Sequence, residues 1–179
     1  DGAPQKVGVA VVDLMTALYA TTAILAAVNH RHITGQGQHI DIALFDVQAA
    51  MLANQASAYL MSGQIPMRQG SSHPSIAPYQ PLRVKDGYIM LAIGNDAQFT
   101  QLCQSAGCAE LVSDERFTTN NARVAHRAEL ETALNPYMMG KSIDEWVTLG
   151  EQYGFPCGPI NTIDRVFNDA QLLSRDMVV

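Results

Sequence analysis

The chain has 179 residues, 47% hydrophobic and 16% charged, enough apolar material for one good core or two small ones, which excludes a disordered, low-complexity polymer. Its 11 Lys and Arg against 17 Asp and Glu leave a net charge of −6, without the basic footprint that a general nucleic-acid binder needs. Cys103, Cys108 and Cys157 are odd in number and lack CxxC spacing, so neither a disulfide framework nor a structural zinc is expected, and the compartment is read as reducing and cytoplasmic.

The opening "DGAPQKVG" has no Met, and an almost wholly apolar segment follows with little before it to cover its sides, so the chain is read as a piece of a longer protein. Residues 14–28 are the nearest approach to a membrane span, but Thr16, Thr21 and Thr22 interrupt them and the run stops too early; no membrane partner is expected. Residues 14–32 predict a helix, with Asp13 in an N-cap position and His30, Arg31 and His32 in the last turn, where positive groups suit the dipole. "TGQG" stops it. In "QHIDIAL" Ile40, Ile42 and Leu44 alternate with His39, Asp41 and Ala43, the period of a strand. Asp46 then caps a second helix over residues 47–61, ending at Ser62 and Gly63.

Residues 63–81 are rich in Pro, Gly and Ser and mark a connector between domains. Two strands, residues 82–84 and 88–93, follow around a "KDG" turn, and Asp96 caps a helix through Gln104. "SDERF" reads as a short turn, and Asn120 or Asn121 opens a helix reaching Ala133, on which Arg123, His126 and Arg127 form one polar face. Ser142 and Glu145 make a capping box for a helix that Gly154 closes. "FPCGPI" allows only a short strand off the sheet centre, and residues 161–177 restart as two brief helical pieces.

Few side chains stand out chemically. Asp13 reads either as a helix cap or, because small residues beside it would admit a substrate, as a nucleophile towards an activated acyl group. His30 and His32 face different directions on a helix and only Asp41 joins His39, so no metal site is expected. His73, within "GSSHPSIAP", lies in a Gly/Ser stretch that reads equally as a plain linker or as a lid whose amides hold an anion. "GNDAQF" is a strand-to-helix turn without a phosphate-loop motif, and Cys157 has no neighbouring cation to activate its thiol. Tyr79, between two prolines in "APYQP", is either a rigid support for the preceding loop or a buried tyrosine at a domain edge.

Several blocks, in order and spacing, resemble family III CoA-transferases, the CaiB/BaiF-like group of formyl-CoA transferases and α-methylacyl-CoA racemases. They are "VGVAVVDLMTALYATTAILAAVNHRHITGQGQHIDIALFDVQ", "SSHPSIAPYQPLRVKDGYIMLAIGNDAQFTQLC", "DERFTTNNARVAHRAEL" and "GFPCGPINTIDRVFNDAQL". The resemblance implies an α/β fold: part of the large domain of a Rossmann-like CoA-transferase plus a small α+β domain. On that pattern residues 1–44 end the first half of the large domain, 45–69 are a helix and connector, 70–170 the small domain and 171–179 the start of a return linker. The family's nucleophile falls on Asp13. The Gly that follows the family's Thr is Ala17 after Thr16. The Gly-rich loop that covers the reacting atoms falls on Gly70, Ser71, Ser72 and His73, where only the first Gly survives and a stiffer loop is expected.

The implied activity moves CoA between an acyl-CoA donor and a carboxylic acid acceptor through aspartyl anhydride and aspartyl-CoA thioester intermediates. The resemblance implies no permanently bound cofactor, a coenzyme A thioester as substrate, and an interlocked homodimer at full length. Family members are about twice this length, so a piece of this extent is expected to be inactive alone. Two other readings stand beside it: a 2-methylacyl-CoA racemase or epimerase, in which the Asp is a general acid/base, and a non-catalytic fragment acting only in assembly.

Overall fold

In the computed structural model, which describes residues 3–178, the chain divides into two units, the first ending at Arg68 and the second beginning at Gln69. The first contains α1 (Val11–Thr34), α2 (Leu44–Ala50) and α3 (Ala53–Ser62). α1 begins earlier than the apolar pattern indicates. Val11 and Val12 are already helical and the Leu14 N–H donates to the Ala10 carbonyl at 3.2 Å, so Ala10 is the N-cap and Asp13 lies inside the first turn. Asp13 is therefore not the cap. With these residues added, and with the helix running on to Thr34, α1 is long and apolar enough by length and composition to cross a membrane, which residues 14–28 alone were not.

The strand expected in "QHIDIAL" is absent: residues 36–43 form neither strand nor helix. A strand needs a hydrogen-bonded neighbour, and the first unit offers none among the described residues. Asp46 is likewise within the first turn of α2, whose N-cap is Ala43, and the single helix expected over residues 47–61 is broken at Met51 and Leu52. α1 packs against α2, and Val47 is buried there in the unit, but Leu14, Leu18, Leu25, Phe45 and Met61 are exposed, leaving broad apolar faces uncovered.

The second unit is built on an antiparallel sheet of β1 (Tyr79–Val84), β2 (Gly87–Ala92) and β3 (Cys157–Pro159), with β2 in the middle. Pro81 and Pro159 thus stand on edge strands, where a missing N–H is tolerated. The period of two puts Leu82 and Val84 of β1 and Ile89 and Leu91 of β2 on one buried face, with Leu82 opposite Ile89. That face is covered by α4 (Asp96–Ala106), α6 (Arg127–Met138) and α7 (Ile143–Tyr153), which supply Phe99, Leu102, Leu130, Leu134, Met138 and Trp146. The Trp146 indole donates to the Met138 carbonyl at 3.0 Å, satisfying its one polar atom. Gly150 allows α7 to approach β3, since a Cβ there would lie 2.8 Å from the Cys157 Sγ and the Phe155 carbonyl. The Ser142–Glu145 capping box forms on α7, and α8 (Ile163–Phe167) and α9 (Ala170–Ser174) are the two short helices that end the unit.

Two capping and surface assignments change. Asn95, with extended dihedrals, caps α4 by accepting from the Gln98 N–H at 2.9 Å, which frees Asp96 for another partner. That partner is Arg123. The expected helix from Asn120 divides into α5 (Asn120–Ala125) and α6 at His126, so Arg123 and Arg127 do not share a polar face with it. Arg123 is fully buried. Its guanidinium donates to the Ala77 carbonyl (2.7 Å), the Phe117 carbonyl (2.9 Å) and Asp96 Oδ1 (2.7 Å), and lies 4.4 Å above the Phe99 ring. Replacing it by Met orphans two carbonyls at about 1–3 kcal/mol each. Asp96→Asn, at a side chain 57% exposed, should lose under about 1 kcal/mol. Thermal melting of the two variants in the full-length protein checks that order.

Candidate active site

Asp13 sits on α1 in its first turn, where the helix dipole favours negative charge. It is exposed and has no hydrogen bond or ion pair among the described residues. The Thr16 hydroxyl turns back to the Val12 carbonyl at 2.7 Å, and Ala17, one turn on from Asp13 on the same face, is exposed and adds only a methyl group. The carboxylate is therefore open to an incoming electrophile and held at its base by a regular helix. Further along α1, Tyr19 and Ala23 with Asp41, Asp46 and Val47 line a cavity of about 260 Å³ against the start of α2, and Asp13 is not among its lining residues.

Residues 70–73 belong to the second unit, and they are not a free linker. Gly70 has φ +60°, the left-handed region that favours Gly, and the Ser72 N–H closes a turn on the Gln69 carbonyl. The Ser72 hydroxyl donates to Gln80 Oε1 at 3.2 Å, and the His73 N–H donates to the Tyr79 carbonyl at 2.9 Å. The His73 ring stacks on Tyr79 with centroids 5.1 Å apart, and its Nδ1 accepts from the Ser75 N–H at 3.1 Å, which places the ring proton of the neutral form on Nε2. Structure thus brings Ser72, His73 and Tyr79 together, with Gln69, Ser72, Pro74, Val124 and Arg127 lining a pocket of about 320 Å³ beside them.

Sequence reasoning missed the residues beneath this loop. Arg127 Nη2 donates to the His73 carbonyl (2.7 Å) and the Ile76 carbonyl (3.2 Å), and Gln80 Nε2 donates to Glu131 Oε2 (3.1 Å). Arg127 lies 54 residues from His73, a separation at which no local pattern operates.

Other chemically suggestive groups are committed elsewhere. The Gly94 amide donates to Gln98 Oε1 at 2.7 Å and Asn95 caps the helix, so the amides of "GNDAQF" are occupied by the turn itself. Burial pushes the Cys157 thiol up, and it donates to the Trp146 carbonyl at 3.1 Å. Cys103 and Cys108 are buried and share a hydrogen bond that pushes Cys103 up and Cys108 down. Hydrogen bonds from Arg116 hold Asp114 down to about 2, in an exposed cluster with Glu129. Among the described residues no group of three or more His, Cys, Asp or Glu side chains is arranged to hold a metal ion.

The described residues thus present an exposed Asp in the first turn of a long apolar helix in one unit, and a small α+β unit with an anchored loop in the other. The chain belongs to CoA-transferase family III, whose profile matches residues 1–179. It is 45% identical over 179 residues to the succinate–glutarate CoA-transferase of Agrobacterium fabrum, covering 100% of this chain and 45% of that protein. To the succinyl-CoA:glutarate CoA-transferase of Homo sapiens it is 38% identical, covering 100% of this chain and 41% of that one. Among solved structures, a CaiB/BaiF family protein from Brucella suis matches with 49% identity and a TM-score of 0.81, over 100% of this chain and 47% of that chain. The Rv3272 protein of Mycobacterium tuberculosis matches with 26% identity and a TM-score of 0.87, over 99% and 46%. The chain therefore spans less than half the length of these relatives. Its fold is part of the large domain of a Rossmann-like CoA-transferase together with a small α+β domain.

The His73 contact distinguishes the ring of Tyr79 from its hydroxyl, which has no partner among the described residues. Tyr79→Phe should change stability by less than about 0.5 kcal/mol. Tyr79→Ala should open residues 70–76 to proteolysis; equal cleavage of both variants would show that stacking does not hold the loop.

Proposed function

We propose that Asp13 is the nucleophile of a CoA-transferase that moves CoA between dicarboxylic acids, acting within the full-length protein. The observation that carries the proposal is the position of Asp13: exposed, unpartnered and inside the first turn of α1, in a chain that belongs to CoA-transferase family III. The substrate class rests on the relatives, whose names pair succinate or succinyl-CoA with glutarate.

The Asp13 carboxylate oxygen attacks the donor thioester carbonyl, the C–S bond breaks, and CoA leaves as its thiolate from a mixed anhydride. The thiolate then attacks the Asp13 side-chain carbonyl, releasing the donor acid and forming an aspartyl-CoA thioester. The acceptor carboxylate attacks that carbonyl and expels the thiolate, giving a second anhydride. The thiolate finally takes the acceptor acyl group and restores the Asp13 carboxylate. Each step exchanges one acyl–oxygen or acyl–sulfur bond for another, which divides a difficult exchange between weak nucleophiles.

Residues 70–73 are the covering loop in this reading. The Ser72 and His73 amides are committed to the Gln69 and Tyr79 carbonyls, which leaves the amides of Gly70 and Ser71 to face developing oxyanions in this reading. CoA enters as substrate, with no resident cofactor. The net charge of −6 supports the absence of a nucleic-acid partner, the three free cysteines support a cytoplasmic protein, and the exposed apolar side chains of α1 are taken to be buried against protein in a full-length homodimer. The names of the relatives favour transfer over racemisation.

Asp13→Asn tests the assignment. Asn keeps the helix but cannot form an anhydride or a thioester, so succinyl-CoA:glutarate transfer by the full-length protein should fall by at least about a thousandfold with melting unchanged. Near-normal turnover would contradict the nucleophilic role.

A further inference from the structure

We propose that Arg127 and Gln80 are positioning residues that lock residues 70–76 into a single shape, so that the loop excludes water from the acyl-enzyme. This rests on the reading of residues 70–73 as the covering loop. The arrangement has three parts. The guanidinium of Arg127 donates from one Nη to two carbonyls of the same loop, His73 at 2.7 Å and Ile76 at 3.2 Å, clasping it across a three-residue step. The other Nη lies 3.4 Å from Gln80 Oε1, which also accepts from the Ser72 hydroxyl at 3.2 Å. Gln80 Nε2 donates to Glu131 Oε2 at 3.1 Å.

The amide orientation of Gln80 follows from its neighbours. Its oxygen faces two donors and its nitrogen faces a carboxylate; the reversed amide would set N–H against N–H and oxygen against oxygen. Gln80 is 6% exposed, so that choice is made away from bulk water. Arg127 has no carboxylate within ion-pair distance among the described residues, and Glu131, one helical turn on, reaches it only through the Gln80 amide. The positive charge is thus directed to backbone carbonyls of the loop instead of being consumed by a direct ion pair. One Nη serves both carbonyls while the other reaches Gln80 Oε1, a two-nitrogen span that a single lysine ammonium does not reproduce.

A stiff loop matters because both acyl-enzyme intermediates react with water. Water adding to the anhydride carbonyl yields free acid and the Asp13 carboxyl group; water adding to the thioester yields the Asp13 carboxyl group and CoA thiol. Either route turns transfer into hydrolysis. Loop rigidity therefore sets the ratio of hydrolysis to transfer, and that ratio is independent of how many molecules are folded.

The test compares Arg127→Lys and Ser72→Ala with wild type in the full-length protein. Two quantities are read: deuterium exchange of the peptide covering residues 69–80, and the hydrolysis-to-transfer ratio with succinyl-CoA and glutarate. Arg127→Lys should speed loop exchange about tenfold and raise the ratio several-fold, with Ser72→Ala a smaller shift in the same direction. Unchanged loop exchange in a folded Arg127→Lys overturns the anchoring. Faster exchange with an unchanged ratio overturns the proposal at the reading beneath it, that this loop shields the reacting atoms, and leaves the nucleophile assignment untouched. If Arg127→Lys does not fold, Ser72→Ala decides between the same outcomes.

Discussion

The second unit depends on one buried cation. Arg123, without exposure, joins the Ala77 carbonyl just before β1, the Phe117 carbonyl before α5 and Asp96 at the start of α4, while Phe99 covers its face. Burying a charge is unfavourable unless every donor is used in good geometry. Here the donors are used on three separate segments of chain, so the charge acts as a fastener among loops that apolar packing cannot fix by itself. The Asn120 side chain adds to it, accepting from the Ala77 N–H and donating to the Ser75 carbonyl. With Ala77 and Ser75 fixed from below, the path from residue 70 into β1 is set. The stacking of His73 on Tyr79 and the clasp from Arg127 are built on that path.

The first unit follows a different logic. Its helices carry their own hydrogen bonds but little core, with Val47 buried and many large apolar side chains exposed. Asp13 takes its setting from the helix alone: the positive end of the dipole, a small residue one turn on, and no side-chain partner. Such an arrangement leaves the carboxylate uncommitted. That separates it from structural carboxylates such as Asp114, held by Arg116, and Glu145 in its capping box.

Much of the second unit was legible in sequence because its determinants are local. The Ser142–Glu145 box, the Gly154 stop, the hairpin around Lys85 and Asp86, and the short edge strand at Cys157 depend on a few neighbouring residues and formed where those residues stand. What failed depended on distant partners or on a choice between equivalent neighbours. "QHIDIAL" has strand alternation, but alternation supplies a face and no neighbouring strand. Asn95 and Asp96 are both competent caps, and the buried Arg123 takes the charged one. Asp13 was located by resemblance, while its exact seat inside the helix required the backbone. Arg127 and Gln80 were invisible for the same reason as Arg123: each makes a bond that crosses 46 to 54 residues.

The proposed mechanism requires a covalent bond to Asp13. The direct measurement is to incubate the full-length protein with succinyl-CoA, reduce with borohydride, digest, and map the modified peptide by mass. Reduction converts an aspartyl thioester to a homoserine side chain, so the account predicts homoserine at position 13, dependent on the acyl-CoA and absent when free succinate replaces it. An unmodified Asp13 in an enzyme that is turning over, or modification at another carboxylate, would contradict it.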